Sequence, residues 1–228
     1  QSAKIIKAVC ILERLKDNFF TKNSAKLAGL FGTIFTIWAV LVATHSSIIT
    51  SFDTFFINLL TNTNPANITF ATNFTTLGNT KTLTFLTILV GVILLLLKKY
   101  GYAGWFVGTM ALANLTNTII KNIVQRPRPS VKHLVYAGGY SFPSGHSIGS
   151  MTFFLLLVIL VALFVKNKTA KLGLTVVLIA EPLLVGYTRI FVHVHYPSDV
   201  FGGFLLAWTF ICLSLFVGQK LAKRWNLA

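Results

Sequence analysis

Long apolar stretches separated by short polar segments dominate the chain. Six of these stretches have the roughly 20-residue length that a helix needs to cross a bilayer. They run over about residues 27–45, 82–97, 103–120, 145–165, 172–188 and 200–217. The proline-rich segment from Arg126 to Pro143 cannot continue a helix and is predicted to be a loop. The pattern therefore predicts an all-α fold, a six-transmembrane helix bundle.

Two further segments have apolar residues at helical spacing but do not qualify as spans. Residues 4–20 have apolar residues at helical spacing with charged residues between them, which predicts an N-terminal amphipathic helix on the membrane surface. Residues 52–60 are apolar on one face but too short to cross, which predicts an interfacial helix between the first two spans. The Asn/Thr-rich stretch 61–80 is predicted to be a loop. We divide the chain into an N-terminal segment, 1–25, and a six-helix domain, 26–228.

The composition supports the membrane interpretation and limits the partners. Hydrophobic residues make up 54% of the chain and charged residues only 11%, against about 25% charged in a soluble domain. The net charge of +15 raises the alternative of nucleic-acid binding. However, the basic residues stand in small groups between apolar runs, the pattern that orients membrane proteins. We therefore expect membrane lipids, and no nucleic acid, as partners.

The distribution of basic residues predicts the orientation of the chain. With the N-terminus in the cytoplasm, 14 of the 20 Lys and Arg residues fall in cytoplasmic segments. This bias predicts a multi-pass protein of the cell membrane with both termini cytoplasmic. Most of the basic residues on the outer side belong to three polar clusters, so the clusters are predicted to face outwards.

Each of the three clusters lies at the end of an apolar run. They are Lys121 with Arg128, then Pro143 to His146, then Arg189 with His195 and Asp199. Charged groups beside a bilayer are costly, which suggests that the three clusters form one site. A phosphoryl group in transfer carries negative charge on its oxygens and needs fixed donors around it. The clusters therefore indicate a phosphate ester as the substrate.

Five residues are predicted to bind the phosphate. Lys121, Arg128 and Arg189 supply three positive charges, and arginine can hold phosphate oxygens with two hydrogen bonds. Ser144 and Gly145 start the fourth span, where the helix dipole and free N–H groups favour an anion. The glycine also lets the main chain approach the ligand closely.

The spacing within the clusters resembles a known signature. Three segments resemble the three motifs of the type 2 phosphatidic acid phosphatase (PAP2) superfamily. The first has Lys121 followed after six residues by Arg128-Pro129, and the second is Pro143-Ser-Gly-His146. The third has Arg189, then His195 after five residues and Asp199 after three more. The resemblance implies that His195 is a nucleophile that forms a phosphohistidine, that Asp199 orients it, and that His146 is the general acid. The spacing of His195 and Asp199 agrees, since a carboxylate can hold one imidazole nitrogen protonated and leave the other free.

The resemblance implies an integral membrane lipid phosphatase similar to small bacterial members of the family. The substrate candidates are phosphatidylglycerophosphate, phosphatidate and undecaprenyl diphosphate, with inorganic phosphate as a product. No paired carboxylates or Cys/His spacing indicates a metal, so we expect no metal and no other cofactor. Two alternatives stay open: a lipid phosphotransferase with the same site, and a non-catalytic lipid transporter.

Five residues near the motifs receive a separate interpretation. Thr188 stands where the family usually has serine, and His193 occupies a position often held by glycine. Arg126 and Lys132 are interpreted as loop charges rather than ligands. Glu181 lies in the middle of the fifth span, next to Pro182, where an acid is a candidate for function. We predict that it makes a structural hydrogen bond at the proline kink rather than taking part in substrate entry.

Overall fold

A computed structural model describes residues 19–61 and 65–224, with side chains for 21–61 and 67–220. Within these residues the regular structure is entirely helical, as predicted. The helices are α1 Phe19–Lys22, α2 Ser24–Ala43, α3 Ser47–Leu60, α4 Pro65–Phe74, a 3₁₀ helix Thr75–Gly78, α5 Thr80–Leu96, α6 Tyr100–Val124, α7 Gly145–Phe164, α8 Lys168–Phe191 and α9 Pro197–Arg224. The predicted amphipathic helix over 4–20 lies outside the described residues, except for its last two positions.

Each predicted span coincides with a long helix, namely α2 and α5 to α9. Four of them, α2, α7, α8 and α9, are long and apolar enough to cross a membrane. A fifth candidate arises if α4, the 3₁₀ helix and α5 form one span that is bent by 47°. In the described part of the chain, the fold is therefore that of a multi-pass membrane protein with four or five apolar spans, while the count of six stays a prediction.

The region between the first two spans contains more helix than predicted. The helix predicted between the first two spans is present as α3, which begins where the Ser46 hydroxyl accepts a hydrogen bond from the Ile48 N–H. The loop prediction for 61–80 is wrong, because residues 65–78 are helical. Asn and Thr are weak helix formers, but the buried Ala71 packs against Phe191 and its neighbours. Tertiary packing therefore outweighs the local preference.

Helix α7 lies at the centre of the bundle, against α6, α8 and α9. Its Ile148 and Leu156 are fully buried with Phe106 of α6. The start of α9 approaches the start of α7 closely because of Gly203. A Cβ atom at this glycine would lie 2.9 Å from the Ser147 Cβ and 3.0 Å from the Ser144 carbonyl oxygen. This close approach brings the second and third motifs together.

The predicted loop between α6 and α7 is held by buried contacts. Helix α6 ends at Val124 and is followed by Gln125, which has a left-handed backbone with φ of 50°. The Lys121 amine donates to the Tyr140 carbonyl at 2.6 Å and to the Ser141 carbonyl at 3.1 Å. Phe142 is completely buried. The loop therefore returns to α6 just before the second motif begins.

Candidate active site

The three predicted clusters converge at one end of the bundle. There the end of α6 and the loop that follows it meet the start of α7 and the connection between α8 and α9. The Ser144 N–H donates to the Asp199 carbonyl at 3.0 Å, which joins the second and third clusters. The Arg128 Nη1 lies 3.2 Å from the His195 Nε2, which joins the first and third. Residues up to 78 positions apart in sequence thus form one site.

The neighbours of His195 determine which of its nitrogens carries the proton. Its Nδ1 lies 3.3 Å from the Asp199 Oδ2, and its Nε2 faces Arg128. A carboxylate only accepts and a guanidinium only donates, so the proton is on Nδ1 and the lone pair is on Nε2. Burial lowers the pKa of His195 to about 3, although Asp199 opposes this shift. The imidazole is therefore neutral, with a nucleophilic nitrogen beside a cation.

His146 carries its proton on the opposite nitrogen. Its Nε2 lies 2.8 Å from the Asn79 Oδ1, and an amide oxygen only accepts, so Nε2 carries the hydrogen. His146 belongs to the first turn of α7 and lies in the electrostatic environment of Arg189, His195, Arg128 and Lys121. The two imidazoles thus differ in tautomer, with the free lone pair on Nε2 of His195 and on Nδ1 of His146.

Asp199 is completely buried and receives four donors. Its Oδ1 accepts from the Arg126 Nη1 at 2.6 Å. Its Oδ2 accepts from the Tyr196 N–H at 2.9 Å, from the Ser141 hydroxyl and from His195. These donors occupy most of the acceptor capacity of the carboxylate and fix its orientation.

The predicted phosphate-binding cations share this environment. Lys121 interacts electrostatically with Arg128, Asp199 and Arg189. Arg189 is only 3% exposed and donates from Nη1 to the Thr75 hydroxyl at 2.7 Å. Its Nε has no hydrogen-bond partner within the described residues. A buried donor without a partner is costly, and an anion bound at this place would satisfy it.

The site has an excess of positive charge. Two carboxylates, Asp53 and Asp199, lie among the four cations Lys121, Arg126, Arg128 and Arg189, and His195 is neutral. The resulting net charge of +2 complements a phosphate dianion. The electrostatics thus agree with the substrate chemistry that the sequence indicated.

Ser144 and Gly145 have structural contacts of their own. The Ser144 hydroxyl accepts from the Ser147 hydroxyl at 2.9 Å and caps α7, while its N–H is taken by Asp199. A Cβ atom at Gly145 would lie 3.2 Å from the Asn117 Nδ2, so the glycine leaves room for this amide. The N–H groups of Gly145 and the next residue belong to the first turn of α7, which leaves them without acceptors inside the helix.

The two residues that depart from the family pattern contact carbonyl groups outside the three clusters. The Thr188 hydroxyl donates to the Val185 carbonyl at 2.7 Å, within its own helix. His193 has a left-handed backbone with φ of 62°, and its Nδ1 lies 3.4 Å from the Lys132 carbonyl oxygen. The backbone conformation gives a physical reason for the glycine that is often found at the position of His193.

Two sequence interpretations need correction. Arg126 lies in the loop as predicted, but it is a buried, paired charge: it makes ion pairs with Asp53 at 2.8 Å and Asp199 at 2.6 Å, and its side chain is only 10% exposed. The structural hydrogen bond predicted for Glu181 is absent, since neither carboxylate oxygen has a partner within the described residues.

Sequence reasoning also missed four polar residues beside the motifs: Asp53, Thr75, Asn79 and Ser141. Asp53 carried a usable signal, because an acid within an apolar stretch is costly without a partner. Thr75 and Asn79 carried none, since they lie in a stretch that contains many similar residues. Their contacts with Arg189 and His146 come only from the fold.

A membrane-embedded helical fold with a His–Asp pair, a second histidine and clustered cations defines a class: an integral membrane protein with a site suited to a phosphate group. Comparison with known families agrees with this class. The family described as the PAP2 superfamily matches residues 102–223, which is more than half of the chain. The chain belongs to the PAP2 superfamily.

Individual relatives agree with this assignment. The chain is 35% identical over 108 residues to undecaprenyl-diphosphatase BcrC of Bacillus subtilis, covering 45% of this chain and 51% of that protein. It is 34% identical over 96 residues to phosphatidylglycerophosphatase B of the same species, covering 40% of this chain and 46% of that protein. These matches thus span about half the length of the curated relatives.

A solved structure shows the same fold. The crystal structure of the transmembrane PAP2-type phosphatidylglycerolphosphate phosphatase from Bacillus subtilis superimposes with a TM-score of 0.74 and 23% sequence identity. The match covers 87% of this chain and 96% of that one. At this identity, the similarity establishes the architecture of the bundle.

Proposed function

We propose that the chain is an integral membrane lipid phosphatase that acts through a phosphohistidine on His195. Its substrate is a lipid phosphate monoester or diphosphate: phosphatidylglycerophosphate, phosphatidate or undecaprenyl diphosphate. The family and the names of the relatives support this class of reaction. The observation that carries the proposal is the opposite protonation of the two histidines, with Nε2 free on His195 and protonated on His146.

In the first step, the His195 Nε2 attacks phosphorus and the bond to the leaving oxygen breaks. His146 enters this step as imidazolium, with a second proton taken up from the bound substrate or from solvent. It donates a proton to that oxygen, which leaves as an alcohol or as a protonated lipid phosphate. Arg128, Arg189 and Lys121 balance the charge on the phosphoryl oxygens. Asp199 stabilises the positive imidazole by accepting its Nδ1–H.

In the second step, water attacks the phosphohistidine. His146, now a neutral imidazole, acts as the base that activates the water. The N–P bond breaks, inorganic phosphate leaves, and His195 returns to the neutral form with its lone pair on Nε2. The proton that His146 takes from the water restores its starting state.

The proposal includes a membrane topology. The six long helices cross the bilayer, both termini are cytoplasmic and the site faces the outside of the cell membrane. The distribution of basic residues supports this orientation. A site at the membrane surface suits a substrate whose acyl or prenyl tail stays in the bilayer while its phosphate reaches the cations.

A lipid panel tests the proposed function. The purified chain is assayed for phosphate release from phosphatidylglycerophosphate, phosphatidate and undecaprenyl diphosphate in detergent micelles. We expect release from at least one lipid, with loss of activity in His195→Ala, His146→Ala and Asp199→Ala. The matched control is His193→Ala, which removes an imidazole whose Nδ1 faces the Lys132 carbonyl oxygen. Wild-type activity in all three site variants would contradict the assigned roles.

A further inference from the structure

We propose that Arg126 is a positioning residue that holds Asp199 against His195, and that Asp53 holds Arg126 in turn. The inference rests on the proposed function, because it concerns the orientation of the proposed nucleophile. It gives a role in the reaction to helix α3, which contributes none of the motif residues.

Arg126 bridges two carboxylates that come from distant parts of the chain. Its Nη1 donates to the Asp199 Oδ1 at 2.6 Å, and its Nη2 donates to the Asp53 Oδ2 at 2.8 Å. The guanidinium carbon lies 4.1 Å from the centre of the Tyr196 ring. The planar fork of arginine can serve both carboxylates at once, whereas the point charge of lysine cannot. The guanidinium is therefore fixed in position and in plane.

The two oxygens of Asp199 have different partners. Arg126 occupies Oδ1, whereas His195, Ser141 and the Tyr196 N–H contact Oδ2. With Oδ1 held by a cation, the carboxylate cannot turn away from the His195 Nδ1. It also remains an acceptor, which the proposed protonation of the imidazole requires. Removal of Arg126 would leave a buried carboxylate without its nearest cation.

Asp53 fixes both Arg126 and the start of α9. Its side chain is 8% exposed, and its Oδ1 accepts from the Ser198 N–H at 2.8 Å. Its Oδ2 accepts from the Ser198 hydroxyl at 2.8 Å and from Arg126. Burial raises the pKa of Asp53, while the Ser198 N–H and Arg126 oppose this shift. Ser198 directly precedes Asp199 in the chain. The contacts of Asp53 on α3 therefore fix the backbone position of Asp199 as well as Arg126, the residue that binds the Asp199 side chain.

Stability alone is a poor reason for this arrangement. Buried ion pairs often contribute little compared with apolar residues of similar volume, because desolvation offsets the attraction. The Asp53–Arg126–Asp199 bridge, by contrast, fixes the carboxylate that orients the His195 imidazole. We therefore assign the bridge to the orientation of the catalytic pair.

A cavity of about 290 Å³ provides the means for a sharp test. Its walls include Asp53, Arg126, Pro127 and Tyr196, so it opens beside the guanidinium. In an Arg126→Ala variant, free guanidinium ion can enter through this cavity and replace the missing group between the two carboxylates. Such chemical rescue separates a positioning role from general damage to the fold.

The experiment measures phosphate release from dioctanoyl phosphatidic acid by the full chain in detergent micelles. We expect Arg126→Ala to lower kcat by about 100-fold, the cost of misplacing a reacting group by about 1 Å, with KM changed by no more than about twofold. Millimolar guanidinium chloride restores part of kcat, whereas the same concentration of sodium chloride does not. Arg126→Lys, which keeps one charge, gives a kcat between those of Arg126→Ala and the wild type.

A double-mutant cycle tests whether Arg126 acts through Asp199. In the Asp199→Asn background, we expect Arg126→Ala to change kcat by no more than about twofold, with no guanidinium rescue, because the group through which it acts is already altered. An equal loss of kcat in both backgrounds, or wild-type kcat in Arg126→Ala, would overturn the inference. If Arg126→Ala does not fold, the same cycle with Arg126→Lys decides between these outcomes.

His195→Ala, assayed in parallel, separates this inference from the proposed function. If His195→Ala still releases phosphate, the proposed function is wrong. If His195→Ala is inactive while Arg126→Ala matches the wild type, only the positioning role is wrong.

Discussion

Replacement of Gly203 by alanine tests whether the close contact of α7 and α9 sets the geometry of the site. The added Cβ would lie 2.9 Å from the Ser147 Cβ, 3.0 Å from the Ser144 carbonyl oxygen and 3.2 Å from the Ile148 nitrogen. Two of these atoms, in Ser144 and Ile148, belong to the backbone at the start of α7 and cannot rotate away. The start of α9 must therefore move relative to α7.

The size of the movement follows from the contacts. Ordinary contacts begin at 3.4 Å, so relief of the shortest one needs a shift of roughly 0.5 Å. The shift lengthens or distorts the hydrogen bond of 3.0 Å between the Ser144 N–H and the Asp199 carbonyl, which joins the starts of α7 and α9. Because a misplacement of about 1 Å can cost about 100-fold in rate, we expect a loss of about 10-fold in kcat.

Stability changes less than activity in this variant. Alanine in place of glycine within a helix contributes up to about 1 kcal/mol, whereas overpacking costs about 1–3 kcal/mol. The expected net loss is therefore about 0–2 kcal/mol. Thermal unfolding in detergent measures this part, and phosphate release measures kcat.

Gly104→Ala is the matched control, since no atom lies within 4 Å of a Cβ placed at this glycine of α6. We expect it to keep kcat within about twofold of the wild type and to gain up to about 1 kcal/mol in stability. If Gly203→Ala behaves like Gly104→Ala in both assays, the contact between α7 and α9 does not control the site.

Three further predictions address the surroundings of the site. Gly78→Ala would place a Cβ 2.5 Å from the Val185 Cγ1 and 3.2 Å from the His146 Cδ2, so we expect kcat to fall. A second change, Val185→Ala, should restore part of kcat, because it removes the closest atom. If kcat does not recover, the steric explanation is wrong. His193→Gly removes a left-handed non-glycine residue with φ of 62°. It should keep kcat and change stability by no more than about 1 kcal/mol, and a large loss of kcat would assign His193 to the reaction instead. Vanadate, which forms a five-coordinate mimic of the transition state, should inhibit phosphate release, while chelators leave the rate unchanged; strict dependence on a divalent cation would contradict the histidine mechanism.

The helices were predictable from sequence where burial in lipid decides the pattern. A run such as that of α7 is apolar on all sides, and its length matches a membrane span. The spacing of His195 and Asp199 also predicts a contact, because a distance of four residues across a helix start brings the two side chains together. Local sequence is sufficient for such features.

The region before α5 and the Arg126 bridge were not predictable in this way. Helix α4 depends on the packing of Ala71 against residues that are more than 100 positions away. Likewise, Arg126 meets Asp53 across 73 positions of sequence, and neither residue shows the partner that it will find. Both features arise from tertiary contacts, which the pattern of a single chain does not contain.

Identification of the phosphorylated residue is the most direct test of the proposed mechanism. The chain is mixed with a ³²P-labelled lipid phosphate, quenched in alkaline detergent and digested, and the labelled peptide is sequenced. We predict an alkali-stable, acid-labile label on His195 that forms in the wild type and is absent in His195→Ala. A label on any other residue, or steady turnover with no labelled protein at any quench time, would contradict a phosphohistidine at this site.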